Sequence, residues 1–146
     1  YGDHRHLHSF PTRRSSDLKP ISVCSYKVEG IFNTGNENID ISGKDVIALS
    51  GIAEPYSFYK AIEDLKGNIV KKIEYEDHHI YTLQEINTIK GIIKENQIII
   101  TTEKDYSKIM SFTNFYTEYP IYYLKISSYI SEKKEELENI LENLIT

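Results

Sequence analysis

Four short runs constrain this chain more than anything else in it: DVIALS at 45–50, NIVKKIEY at 68–75, QIIITT at 97–102 and IYYLKI at 121–126. Each is too short for a buried helix and most are rich in β-branched residues. The first and third are nearly continuous apolar text, the pattern of strands covered on both faces. Helical signals fall between them. Phe58, Ile62 and Leu65 form one apolar stripe that stops at Gly67. Thr82-x-x-Glu85 is a capping box ahead of a helix carrying Ile86, Ile89 and Ile93. EKDYSKIM at 103–110 reads as a short helix or turn, and residues 131–145 as a closing amphipathic helix through Leu137, Ile140, Leu141 and Leu144. Strands alternating with short helices predict an α/β fold, a parallel doubly wound sheet over residues 45–146. Residues 19–44 flank the Asn/Gly-rich NTGNEN with strand-favouring residues and predict a β-ribbon or linker.

The opening, YGDHRHLHSFPTRRSSDL, has neither an apolar period of 2 nor one of 3.6. It resembles a translated short-read sequencing adapter at every residue from Tyr1 to Leu18 except His6, where one base change turns an aspartate codon into a histidine codon. Residues 1–18 are therefore expected to be a non-native, disordered tail and stand outside the fold reasoning. A disordered basic arm and a metal site at His4, His6 and His8 are the other readings. On the adapter reading the native polypeptide starts mid-gene, and its N-terminal portion precedes Lys19.

Setting the tail aside moves the formal charge from −5 to −6, since three arginines and two aspartates leave with it. That balance predicts no nucleic-acid partner, which would need a basic stripe. Cys24 is the sole cysteine, so neither a disulfide framework nor a thiolate zinc site is available, and a reducing setting fits. No apolar run approaches the ~20 residues that span a bilayer.

In doubly wound sheets the working loops follow the carboxyl ends of the strands. That selects SGIAEP (50–55), EDHHIY (76–81) and TTEKD (101–105), which should open on one rim. Gly51 could admit close backbone approach to a ligand, but the loop lacks the Gly-Lys-Ser/Thr ending of a phosphate loop. Asp77-His78-His79 suits a metal site, an acid/base pair or a structural turn. Metal is the weakest of these, because adjacent histidines rarely point the same way. In the third loop Lys104 could reach a phosphate while Glu103 and Asp105 meet a ribose hydroxyl or base. On spacing alone the plainer reading is favoured, with Thr102 as an N-cap and acidic groups near the helix's positive end.

Taken in order, ALSGIAEPYSFYKAI, YEDHHIYTLQEI, IIITTEKDYSKI and YYLKI resemble the C-terminal half of tetraacyldisaccharide 4'-kinase, the lipid A 4'-kinase of Gram-negative bacteria. The resemblance covers about residues 45–126, and the preceding ribbon is similar to that family's inter-domain strands. It implies a two-domain, P-loop NTPase-like kinase that uses ATP and Mg2+ to phosphorylate the 4'-hydroxyl of a tetraacyldisaccharide 1-phosphate, at the cytoplasmic face of the inner membrane. It further implies that the phosphate loop, the magnesium carboxylates, the acidic catalytic base and the membrane contact belong to an N-terminal domain, so that these residues alone would be inactive. Carried onto this chain, it assigns His78 as the histidine assisting a catalytic aspartate, Asp77 as the group orienting it, and His79 as the residue holding the loop. Thr102, Glu103, Lys104 and Asp105 fall to the nucleotide-facing rim. Apart from the resemblance, a free-standing nucleotide- or partner-binding α/β module is the alternative, while a metal phosphoesterase would need paired aspartate motifs that the chain lacks.

Overall fold

The computed structural model describes residues 24–112, 119–130 and 134–145. The adapter-like tail, with its three histidines, and the expected helix start at 131–133 lie outside the described residues. Along the chain run β1 (Cys24–Phe32), β2 (Asn38–Ile39), β3 (Asp45–Ser50), α1 (Tyr56–Asp64), β4 (Asn68–Glu74), α2 (Leu83–Ile92), β5 (Gln97–Thr102), α3 (Glu103–Ile109), β6 (Ile121–Ile130) and α4 (Lys134–Ile145).

The strands form one six-stranded sheet in the order β2-β1-β6-β5-β3-β4. Its core is parallel, as expected: β3 pairs with β4 and β5, and β5 with β6. From β3 the chain moves outward to β4, then returns across β3 to β5. The reversal between β3 and β5 is a topological switch point. Alternation along these strands serves two faces. Val46, Ala48, Ile98 and Ile100 pack with Phe58, Ala61 and Ile62 of α1, whereas Ile47, Leu49 and Ile99 pack with Ile86 and Ile89 of α2 and Ile109 of α3. The chain therefore leaves β3 and β5 towards opposite faces, and both central strands are buried along most of their length. Edge strand β4 instead exposes Lys71 and Lys72, charges that discourage pairing with another chain.

The predicted ribbon forms, with Ile31 opposite Ile39 and Phe32 opposite Asn38 in antiparallel pairing. It is more than a linker, because Ile31 and Ile41 are buried in the α1-side core. The described residues between 27 and 127 make one compact unit accordingly, and α4 belongs to a second. Within α4, Leu141 and Leu144 of the expected apolar stripe are exposed, as is Ile145, while the side chains of Leu137 and Ile140 lie outside the description.

Helix α1 ends one residue earlier than the glycine suggests. Lys66, at φ +66°, takes the left-handed position, its N–H donating to Glu63 O while that of Gly67 donates to Ile62 O, at 2.9 and 3.0 Å. This is a Schellman motif with lysine where glycine is usual. Gly67 is needed for space: a Cβ there would lie 2.9 Å from both Ile41 Cδ1 and Ile62 Cγ2. Gly67→Ala is expected to lower stability in urea unfolding by ~1–3 kcal/mol through overpacking, and Lys66→Gly to leave it level or raise it by up to ~1 kcal/mol. The opposite ranking would contradict this account of the helix end.

Candidate functional site

Parallel pairing brings the loops after β3, β4 and β5 to one rim, as the sequence predicted. They meet at Gly51. Its N–H donates to Asp105 Oδ2 at 2.8 Å, across the switch point. A Cβ on Gly51 would lie 2.9 Å from Asp105 Oδ1, 3.3 Å from Glu76 O and 3.4 Å from His79 Cβ. The close approach that glycine permits here is thus to the chain's own neighbouring loops.

In the second loop the His79 N–H donates to Glu76 O at 3.1 Å, closing a tight turn. His78 occupies its third position at φ +58°, a left-handed conformation that histidine visits more often than most side chains. The two histidines therefore diverge. His79 is held on several sides. Its ring stacks on Tyr75 at 4.3 Å and meets Tyr81 edge-on at 5.0 Å. Its Nε2 lies 3.1 Å from both carboxylate oxygens of Glu85, and its carbonyl accepts from Lys108 Nζ at 2.9 Å. Glu85 also closes the predicted capping box, accepting from Thr82 N–H at 2.8 Å while its own N–H donates to Thr82 Oγ1 at 3.2 Å. Those donors, Thr82 N–H foremost and His79 next, hold the Glu85 carboxyl below its ordinary value of 4.5.

His78 is the free member of the pair, with its side chain 78% exposed. Its Nε2 is 3.7 Å from Asp77 Oδ2, near enough for charge attraction but beyond a hydrogen bond. Asp77 is itself half exposed. Among the described residues no three His, Cys, Asp or Glu side chains are grouped to hold a metal.

The third loop is the capped helix start that spacing alone favours. Thr102 Oγ1 accepts from Asp105 N–H at 3.2 Å and donates to Asp105 Oδ2 at 2.7 Å. Asp105 is only 1% exposed, and its carboxylate points to Gly51 and Thr102. Glu103 and Lys104 are exposed. The buried Tyr81 phenol feels the Asp105 charge without reaching hydrogen-bond geometry; burial first and that charge second push its pKa up. Sequence reading did not anticipate the bridge from Asp105 to Gly51 or the Lys108 contact. The partners lie 54 and 29 residues apart, and only the Thr102-x-x-Asp105 spacing hinted that the aspartate was committed locally.

Two outcomes follow from this geometry. Gly51→Ala should cost ~1–3 kcal/mol in urea unfolding and shift the backbone resonances of His79 and Asp105; an undisturbed spectrum would contradict the three-loop junction. A depressed carboxyl contributes stability above its unfolded pKa and loses it as pH falls through the folded one. The Thr82 amide resonance should accordingly titrate with a midpoint below 4.5, and this step should vanish in Glu85→Gln. A midpoint at or above 4.5 would contradict the bonds that Thr82 and His79 give to Glu85.

Comparison with known proteins places this architecture. The family model described as tetraacyldisaccharide-1-P 4'-kinase matches residues 5–146, a range that begins inside the adapter-like segment. Among curated relatives, a tetraacyldisaccharide 4'-kinase of Desulfotalea psychrophila is 35% identical over 116 residues, 77% of this chain and 32% of the relative. One from Halothermothrix orenii is 31% identical over 96 residues, 64% of this chain and 25% of the relative. One from Agrobacterium fabrum reaches 43% over 67 residues, 45% and 19% respectively. The chain thus spans between a fifth and a third of the length of these relatives. A crystal structure of LpxK from Aquifex aeolicus in complex with ATP shares the fold with a TM-score of 0.57 at 18% identity, over 90% of this chain and 40% of that one.

Proposed function

The chain belongs to the tetraacyldisaccharide-1-P 4'-kinase family, and from that premise we propose that it forms the C-terminal part of an ATP-dependent phosphotransferase. Its acceptor is the 4'-hydroxyl of a tetraacyldisaccharide 1-phosphate in lipid A biosynthesis, and its place is the cytoplasmic face of the inner membrane. None of the described helices is long and apolar enough to cross a membrane; in this reading membrane contact belongs to the N-terminal part of the enzyme.

The observation that carries the proposal is the divided histidine pair: one ring is braced from several sides and the other presented at the rim. Phosphoryl transfer depends on positioning and charge stabilisation more than on covalent work by the protein. In this reading His78 hydrogen-bonds a catalytic carboxylate contributed by the N-terminal domain, and that carboxylate takes the proton of the sugar hydroxyl. Asp77 orients His78 by charge, and His79 anchors the turn. Glu103 and Lys104 are the members of the third loop free to meet a nucleotide, while Thr102 and Asp105 shape it. Among the described residues no three His, Cys, Asp or Glu side chains are grouped to hold a metal ion; in this reading ATP and Mg2+ are held mainly by the N-terminal domain.

In the reading frame extended to the length of its relatives, His78→Ala should lower kcat by ~10²-fold or more and leave the KM for ATP within about two-fold. An unchanged kcat would remove His78 from the reaction.

A further inference from the structure

Helix α3 makes one contact to the histidine turn that the reading above leaves unused. Half-buried Lys108 gives its Nζ to the main-chain oxygen of His79, at 2.9 Å. An ammonium is costly to withdraw from water unless it is well bonded, so its placement against a single carbonyl needs an explanation.

The turn is held at three backbone points. Entering it, the Tyr75 N–H donates to Ser50 O at 2.8 Å; within it, His79 N–H meets Glu76 O; leaving it, His79 O meets Lys108. The bonds to the His79 ring fix a side chain, and the main chain can still turn about it. A left-handed residue between these points, His78, depends on both ends being fixed, because that conformation costs ~1–2 kcal/mol for a residue with a Cβ. Asp105, three residues before Lys108 and so on the same side of α3, ties the Gly51 loop through its own bond at 2.8 Å. One short helix thereby sets the register of two loops.

We propose that Lys108 is a positioning residue for His78: by bonding the His79 carbonyl it fixes the backbone from which the His78 ring projects. The inference rests on the kinase reading of His78, and its test has two arms so that the two can fail separately.

In the 146-residue chain, Lys108→Met should lower the 15N order parameters of residues 77–80 from a rigid ~0.85 towards ~0.6, with the urea midpoint little changed and Lys108→Arg restoring most of the order. In the extended enzyme, Lys108→Met should lower kcat ~10-fold at constant KM for ATP, and the Lys108→Met/His78→Ala pair should be no slower than His78→Ala alone. Unchanged order, outright unfolding of Lys108→Met, or kinetic losses that multiply would each overturn the proposal. Multiplying losses would mean that Lys108 acts independently of His78. If His78→Ala proves fully active, the catalytic reading fails, while the order parameters still decide whether Lys108 holds the turn.

Discussion

The rim depends on one buried carboxylate. Asp105, 1% exposed, accepts from the Gly51 N–H and the Thr102 hydroxyl at 2.8 and 2.7 Å. In many doubly wound sheets the crevice at the switch point is open to a ligand; here the protein's own acid bridges it. Both bonds go to the same oxygen, Oδ2, and offset part of the cost of burying it. Removing it would strand a buried amide and a hydroxyl, and the third and first loops would lose their common register.

On that base the second loop divides two chemically identical side chains. His79 packs with Tyr75 and Tyr81 in a three-ring cluster and is bonded to Glu85. His78, one residue earlier and left-handed, is turned out. Sequence adjacency is the device itself: a tight turn cannot bury both rings, so anchoring one presents the other. The capping box of α2 takes part in this, since Glu85 both opens the helix and holds His79.

Strand identity, parallel pairing and the common rim were legible in the sequence, because QIIITT and DVIALS carry the continuous apolar pattern of doubly covered strands and helical signals alternate with them. The Thr82 capping box and the Thr102 cap were equally legible, being signals confined to four residues. Gly67 was read rightly as a helix stop but for the wrong physical reason, since Lys66 takes the left-handed position and Gly67 makes room for Ile41 and Ile62. The inward turn of Asp105 was not legible: its partner lies 54 residues away, and local spacing is silent on long-range pairing. Nor was burial of the ribbon, where loose alternation gave no sign that Ile31 and Ile41 enter the core.

Family membership says what such a rim belongs to, and the geometry says how this part of it is held: three loops locked together, with one histidine left free. Amide hydrogen exchange tests that most directly, because it reads each backbone bond separately. The account predicts slow exchange at Gly51, Tyr75 and His79, whose N–H groups are bonded to Asp105, Ser50 and Glu76, against fast exchange at His78. Exchange at Gly51 and His79 as fast as at His78 would contradict it, because the loops would then not be locked.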